Sequence, residues 1–85
     1  MITPVSQIID SSESTSFECS VTGHPIMSID WYKDGRPLVA DHRVTIRSQT
    51  VLIISNVTRF DQGMYQCIVQ NEMVDEQAAG QLSLG

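Results

Sequence analysis

The sequence predicts an all-β domain, a sandwich of two antiparallel sheets around a single core. Short runs of alternating apolar and polar residues recur along its 85 residues, and polar or glycine-containing turns separate them at regular intervals. The most patterned run is 61–67, where Asp61, Gly63, Tyr65 and Cys67 occupy alternate positions and therefore share one side of an extended strand. The chain shows no helical period, internal repeat or low-complexity tract. This pattern is typical of an antiparallel sandwich.

Seven or eight short strands, lettered A to G with the first as A or A′, account for the alternating runs. The first, residues 5–9, follows Pro4, which suits an edge strand because proline lacks a backbone N–H. In strands B to G the residues predicted to point into the core are Phe17, Cys19 and Val21; Met27, Ile29 and Trp31; Val44 and Ile46; Leu52 and Ile54; Tyr65, Cys67 and Val69; and Ala78, Gly80, Leu82 and Leu84. Between the strands we expect turns at 10–14, 22–25, 33–37, 48–49, 56–62 and 71–76.

Composition and charge exclude several functions. The chain is 41% hydrophobic and 18% charged, which is too apolar for a disordered segment and too interrupted for a membrane span. Its net charge of −5 argues against nucleic acid or an anionic membrane surface as a partner, because both need a basic footprint. The sequence contains no nucleophile elbow, phosphate-binding glycine loop or metal-binding histidine pair. It therefore predicts no enzyme, no cofactor and no small-molecule substrate.

The remaining titratable residues have simpler interpretations than catalysis or metal binding. His24 and His42 fall in loops and are interpreted as surface residues. Glu72, Asp75 and Glu76 supply oxygen ligands of the kind that calcium takes, but a cluster in one loop without defined ligand spacing is usually solvated charge. We therefore expect no metal site.

Two cysteines, Cys19 and Cys67, allow only one disulfide. The alternative is a pair of buried thiols in a reducing compartment. A domain of 85 residues lies near the lower limit for a self-sufficient core, and a covalent link suits it, so we expect the bridge. Residues 1–4 have neither the basic start nor the apolar run of a signal peptide, and we interpret residues 1–85 as one domain excised from a longer multidomain protein.

One set of spaced residues resembles the pattern of an immunoglobulin domain of the intermediate (I) set: Cys19, Trp31, Leu52-x-Ile54 and Asp61-x-Gly63-x-Tyr65-x-Cys67. Cys67 follows Cys19 by 48 positions, which leaves room for strands C, D and E and a short C′ but not for the extra hairpin of a variable domain. The resemblance implies an immunoglobulin-like β-sandwich of sheets A-B-E-D and A′-G-F-C-C′. It also implies that the Cys19–Cys67 bridge joins the sheets and that Trp31 packs against it.

The same resemblance implies roles for residues near position 61. The Tyr65 hydroxyl is expected to bond back to the backbone as a tyrosine corner. Asp61 is similar to the family acid that pairs with an arginine at the start of strand D, for which Arg43 is the candidate; the alternative for Arg43 is a solvated surface charge. Asn56-Val57-Thr58 is an N-glycosylation sequon, although asparagine also recurs structurally at this corner and sequons arise by chance.

More narrowly, four segments resemble extracellular domains of the Down syndrome cell adhesion molecule (Dscam) family: residues 23–26, 31–35, 61–67 and 81–85. This resemblance implies a glycoprotein module for neuronal cell adhesion, one of a tandem array in a single-pass receptor on the extracellular side of the plasma membrane. Such a module contributes to homophilic recognition between cells or acts as a spacer. The implied partner is another copy or a related adhesion molecule, and only the parent protein's span reaches the membrane. The alternatives are an intracellular structural module of the muscle-filament kind and a heterophilic ligand-binding receptor domain.

The candidate interface consists of residues predicted to point outward from the A-B-E-D sheet: Glu18, Thr45, Arg47, Val51 and Ile53. An aliphatic strip with charges of both signs around it suits a two-fold contact in which Arg47 of one copy meets Glu18 of the other. The opposite C-F-G sheet presents Tyr32, Met64 and Ile68, which suit a heterophilic ligand instead.

Overall fold

The computed structural model confirms the predicted two-sheet sandwich. It describes residues 2–3, 5–20, 28–70 and 75–85. The elements in those residues are β1 Ile2–Thr3, β2 Ser6–Ile9, β3 Thr15–Cys19, β4 Ser28–Lys33, β5 Arg36–Pro37, β6 Val44–Arg47, β7 Val51–Ile54, a 3₁₀ helix Arg59–Asp61, β8 Gly63–Gln70 and β9 Asp75–Leu84. One sheet has the order β1-β3-β7-β6 and the other β2-β9-β8-β4-β5. These orders are the predicted A-B-E-D and A′-G-F-C-C′ arrangements.

The first strand is split between the two sheets. The sequence predicted one segment, residues 5–9, whereas the structure has two short strands. β1 pairs antiparallel with β3, which places Ile2 opposite Cys19. β2 pairs parallel with β9, with Ile9 opposite Leu84. The second sheet therefore has one parallel pair at its edge, because the chain crosses from one sheet to the other before β2.

Left-handed backbone closes two of the hairpins. Asp34 and Gly35, between β4 and β5, have φ angles of 52° and 81°. Ser48 and Gln49, between β6 and β7, have φ angles of 51° and 64°. Two consecutive residues with positive φ give a turn the twist that matches right-handed strands. The turns predicted at both places are present, each with a defined geometry.

Two predicted turns are shorter than expected. Residues 33–37 contain β5, which pairs with the end of β4. The acidic loop 71–76 has ended by Asp75, where β9 begins. Several expectations lie outside the described residues: the turn at 22–25, most of the loop at 71–76, the inward positions of Val21 and Met27, and the interpretations of His24 and Glu72.

The core lies where the predicted inward sets of the two sheets meet. The disulfide between Cys19 and Cys67 joins β3 to β8 and so links the sheets, as predicted. Trp31 lies opposite Cys67 on β4, and its indole N–H donates to the carbonyl of Gln49 at 2.9 Å. The buried hydrophobic residues are Ile2, Phe17, Cys19, Trp31, Val44, Leu52, Ile54, Val57, Tyr65, Cys67, Val69 and Leu82. Of these, only Ile2 and Val57 were absent from the predicted inward sets.

Removing the disulfide should bring the domain close to unfolding. The bridge spans 48 positions, and in the chain-entropy model closing such a loop contributes about 4 kcal/mol, comparable with the whole stability of a small domain. We expect Cys19→Ala combined with Cys67→Ala to lower the free energy of unfolding by about 4 kcal/mol. Urea denaturation followed by Trp31 fluorescence measures this loss. Val39→Ala, at an exposed aliphatic, is the control, and an unchanged midpoint in the double variant would contradict the expectation.

Candidate protein-interaction surface

The outer face of the four-stranded sheet brings the five predicted interface residues together. β7 lies between β3 and β6 in this sheet. Val51 is opposite Glu18 on one side and Arg47 on the other. In the next row, Ile53 is opposite Thr45. The register therefore makes an aliphatic strip with an acid on one flank and a base on the other, and we call these five residues the β7 patch.

A shallow groove runs along the β3 side of the β7 patch. Its volume is about 290 Å³, and it is lined by Ser14, Thr15, Ser16, Val51 and Ile53. The two aliphatic residues of the patch are half-buried, whereas its three polar residues are exposed. Ser14 and Ser16 were not among the predicted interface residues, although alternation places them on the same side of the strand as Glu18. Their small side chains leave the aliphatic floor accessible.

A side-chain amide covers the edge of β3 beside this groove. β1 pairs only with the last two residues of β3, Glu18 and Cys19. Further back along the strand, the Gln7 amide donates from Nε2 to the carbonyl of Ser16 at 3.1 Å and accepts from Thr15 Oγ1. The amide takes the place of a neighbouring backbone, so the Ser16 carbonyl is not offered to an added strand. The Ser16 carbonyl is therefore covered at the β3 edge, and the β7 patch offers the face of the sheet.

An ion pair holds the start of β6, the strand that carries two members of the patch. Arg43 donates from Nη1 to Asp61 Oδ2 at 2.9 Å and from Nη2 to Asp61 Oδ1 at 3.3 Å. Its Nη1 also donates to the carbonyls of Ser55 and Asn56, at 3.4 and 3.2 Å. The planar fork of arginine suits a carboxylate bound at both oxygens. Arg43 is half-buried and bonded here, which differs from the solvated alternative.

Asp61 is buried, and both its carboxylate and its carbonyl accept hydrogen bonds. The Thr58 backbone N–H donates to Oδ2 at 2.8 Å within the capping box of the 3₁₀ helix. The Tyr65 hydroxyl donates to the Asp61 carbonyl at 2.6 Å, which is tyrosine-corner geometry. Burial opposes ionisation of Asp61, but hydrogen bonds from Arg43 and Thr58 outweigh it, so the pKa of the carboxyl lies below its usual value. Burial and the charge of Asp61 raise the pKa of Tyr65, which keeps its hydroxyl a donor.

The residues considered for a heterophilic ligand lie on the other sheet. Met64 and Ile68 are on β8 and Tyr32 is on β4. Met64 is exposed, whereas Tyr32 and Ile68 are half-buried. These three residues are separate from the β7 patch, so the domain offers two distinct outer faces.

The glycosylation sequon lies at the corner before the 3₁₀ helix. Asn56 is exposed and has a φ of 51°, a left-handed conformation that asparagine tolerates. The Thr58 hydroxyl, the other required sequon residue, accepts from the N–H of Phe60 at 3.3 Å. Thr58 therefore also caps the helix.

Neither a metal-ligand cluster nor a membrane-spanning helix is found in the described ranges. No three histidine, cysteine, aspartate or glutamate side chains within those ranges are grouped to hold a metal ion. No helix in that part of the chain has the length and apolar character needed to cross a membrane.

A comparison with protein families agrees with the two-sheet order, the buried bridge and the tyrosine corner. The model of the immunoglobulin I-set domain matches residues 1–84. The chain belongs to the immunoglobulin I-set family. In this I-set domain the ion pair, the bridge and Trp31 belong to the scaffold, and the β7 patch lies outside it.

Two curated relatives and one solved structure illustrate the similarity of this I-set domain. Cell adhesion molecule Dscam1 of Drosophila melanogaster is 37% identical over 84 residues, which are 99% of this chain and 4% of the relative. Cell adhesion molecule DSCAML1 of Homo sapiens is 42% identical over 75 residues, 88% of this chain and 4% of the relative. The crystal structure of the N-terminal four Ig domains of Dscam1 isoform 4.44 matches with a TM-score of 0.83 at 37% identity, covering 99% of this chain and 20% of that one. The I-set domain thus spans only a small part of these cell-adhesion relatives.

The Asp61 carboxyl should make the domain less stable in acid. Because its folded-state pKa is lowered, its contribution is fully present above the unfolded-state value of about 3.9 and is lost as the pH falls through the folded-state value. We expect Asp61→Asn to lower the free energy of unfolding at neutral pH by about 2 kcal/mol, the size of a charge-assisted hydrogen bond. The variant should also lose less stability than the original chain as the pH falls. Urea denaturation at a series of pH values from neutral to about 3 measures both effects.

The matched control for Asp61→Asn is Asp30→Asn, which removes an exposed carboxylate on β4. This change should alter the free energy of unfolding by no more than about 0.5 kcal/mol. If Asp61→Asn and the original chain lost stability in parallel below about pH 4, the assignment of the acid dependence to Asp61 would be wrong.

Proposed function

We propose that this I-set domain is an extracellular adhesion module that contacts a second copy of itself through the β7 patch. The two relatives Dscam1 and DSCAML1 are named cell adhesion molecules, and the chain covers 4% of the length of each. These facts support one module of a tandem array in a larger cell-surface receptor. The observation that carries the proposal is the pairing of an aliphatic strip with opposite charges on its two flanks.

The β7 patch is electrically balanced in an acidic chain. The net charge of −5 makes two copies repel each other on average. Within the patch the charges of Glu18 and Arg47 cancel, and the half-buried Val51 and Ile53 between them need no charged partner. A second copy therefore meets little repulsion at this face and gains apolar contact there.

The strand register also indicates how two copies fit together. Glu18 and Arg47 lie on opposite sides of Val51 in one row, about 10 Å apart at the usual strand spacing. A two-fold axis parallel to β7, between two facing patches, places Glu18 of each copy over Arg47 of the other. An axis running across the strands through the same row would oppose like charges. The charge pattern therefore favours the axis parallel to β7.

Three other roles differ from this proposal in what they require. An intracellular structural module of the muscle-filament kind is expected to keep free thiols, so the bridge between Cys19 and Cys67 supports the extracellular interpretation. A spacer in the array requires no self-association. A heterophilic receptor domain would use the outer face of the other sheet, which includes Tyr32 and Met64.

Reversing one flanking charge at a time should break the contact, and mixing the two variants should restore it. Glu18→Arg opposes two arginines across the proposed interface, and Arg47→Glu opposes two glutamates. We expect each variant to self-associate at least about tenfold more weakly than the original chain. An equimolar mixture regains association, because the arginine introduced on β3 of one variant then faces the glutamate introduced on β6 of the other. Sedimentation equilibrium over a concentration series measures all four cases.

Asp30→Arg is the matched control for Glu18→Arg, since both changes raise the net charge by two and Asp30 lies on the other sheet. It should leave the association constant of the β7 patch nearly unchanged. Val51→Asp and Ile53→Asp test the aliphatic floor and should also weaken association. A chain that stays monomeric at all concentrations, with no effect of any patch variant, would exclude the direct contact and leave the spacer role.

We also propose that Asn56 carries an N-linked glycan when the chain passes through a secretory pathway. The residue is exposed at the corner that follows β7, three positions beyond Ile53. Secreted protein should lose mass on treatment with a peptide glycosidase, and Asn56→Asp, which keeps a residue tolerant of left-handed backbone, should abolish this loss.

The Thr58 variants separate the glycan from the helix cap. Thr58→Ser keeps both the sequon and a capping hydroxyl, so glycosylation and stability should persist. Thr58→Ala should remove the glycan and lower the free energy of unfolding by about 1 kcal/mol. Secreted protein without any glycan at position 56 would contradict this part of the proposal.

A further inference from the structure

The outer face of the four-stranded sheet is uneven across β7. The groove of about 290 Å³ lies on the β3 side, and we call its lining residues the β3 groove: Ser14, Thr15, Ser16, Val51 and Ile53. On the β6 side the outward positions carry Thr45 and Arg47, which are exposed and larger than the serines. Thr45 is branched at Cβ, which restricts its side chain to few rotamers. The face therefore has a depression on one flank and a stiff projection on the other.

The depression and the projection lie in one row of the sheet. Ile53 is opposite Ser16 on one side and opposite Thr45 on the other. At the usual strand spacing the two flanking residues are about 10 Å apart with β7 between them, so they do not touch within one copy. The adjacent row holds Glu18 and Arg47, on the same two flanks. Shape and charge are thus both asymmetric about β7.

This asymmetry favours one relation between two facing copies. A two-fold axis parallel to β7 places β3 of each copy over β6 of the other without changing the row, so Thr45 of each copy faces Ser16 of the other. An axis across the strands places β3 over β3 and β6 over β6, wherever along the strands it is centred. The two depressions would then face each other, and so would the two projections. The shape of the face therefore favours the same axis as its charges.

We propose that Thr45 of each copy seats in the β3 groove of the other, so that the fit between positions 45 and 16 decides which chains can associate. The inference rests on the proposed contact between two copies through the β7 patch. The opposite charges of Glu18 and Arg47 identify the occupant of the groove, because the arrangement that pairs these charges also brings Thr45 over the groove. A second copy of this chain therefore fills the groove from its own β6.

The chemistry of the β3 groove suits this occupant. Its apolar lining, Val51 and Ile53, packs with the methyl group of the second copy's Thr45 and with the aliphatic stem of its Arg47. The exposed hydroxyl of Ser16 exchanges a hydrogen bond with the Thr45 hydroxyl. A larger residue at position 16 occupies the space that Thr45 needs. Ser16 therefore sets specificity by excluding chains that do not match.

Exchanging volume between positions 16 and 45 tests this fit. Ser16→Ile adds as many side-chain heavy atoms to the groove as Thr45→Ala removes from the projection. The overfilled site occurs twice in a two-fold pair, so we expect Ser16→Ile to weaken self-association at least about thirtyfold. Thr45→Ala alone should also weaken it, because the groove is left partly empty. The double variant should nevertheless associate at least about tenfold more tightly than Ser16→Ile, as sedimentation equilibrium over a concentration series measures.

Ser6→Ile is the matched control, because it adds the same side chain at an exposed position of β2 in the other sheet. It should leave the association constant unchanged. Urea denaturation of the dilute, monomeric chains is the second control. There the effects of Ser16→Ile and Thr45→Ala should combine independently, since β7 separates the two positions within one copy. Restoration that is found only in association therefore reports a contact between copies.

Restoration in the double variant is the deciding result. If its association constant falls by the product of the two single effects, positions 16 and 45 do not meet and the seating of Thr45 is wrong. That outcome leaves the contact itself intact where the Glu18→Arg and Arg47→Glu variants still restore each other. An original chain that stays monomeric at all concentrations would exclude both proposals. An equal effect of Ser6→Ile and Ser16→Ile would also contradict the seating, because added apolar surface would then explain both.

Discussion

The carboxylate of Asp61 ties the two sheets together at one edge of the sandwich. The carboxylate accepts two hydrogen bonds from Arg43, which directly precedes β6 of the four-stranded sheet. The backbone carbonyl of Asp61 accepts a hydrogen bond from Tyr65 in β8 of the other sheet. The backbone N–H of Thr58 also donates to the Asp61 carboxylate, and this bond lies within the capping box of the 3₁₀ helix between the sheets. Two members of the β7 patch lie on β6. The ion pair between Arg43 and Asp61 therefore holds the start of the strand that carries two residues of the exposed β7 patch.

A buried ion pair stabilises a fold only if its bonds exceed the cost of removing the charges from water. Burial alone would raise the pKa of Asp61, yet this pKa is lowered. The hydrogen bonds to the ionised carboxylate therefore outweigh the cost of its burial. Every buried side-chain nitrogen and oxygen in the described ranges has a hydrogen-bond partner, which is the condition under which such a pair is favourable. The disulfide acts differently, because it restricts the unfolded chain and joins interior strands.

Features with a period of two could be predicted from the sequence, and features made by distant contacts could not. Alternation was sufficient to place Val51 and Ile53 outward and the bridge inward, and the spaced motif added the sheet order. β5 has only two residues and shows no alternation, so the residue pattern did not predict it. The short strand C′ came from the family resemblance, and its bounds follow from its pairing with β4. Val57 lies outside any strand and is buried after the left-handed Asn56. The residue types of the β7 patch could be predicted from the sequence. That Glu18 and Arg47 lie on opposite sides of Val51 became known only from the register of β3, β7 and β6.

The proposed contact through the β7 patch leaves the ends of the molecule free. β9 has 10 residues and spans about 33 Å, close to the 40 Å long axis, so the strands run nearly along that axis. A two-fold axis parallel to β7 therefore leaves both poles of each copy uncovered and turns both copies the same way. An antiparallel pair centred on the same row would bring Glu18 to Glu18 and Arg47 to Arg47. The charges of one row thus favour two copies with a common orientation along the strands.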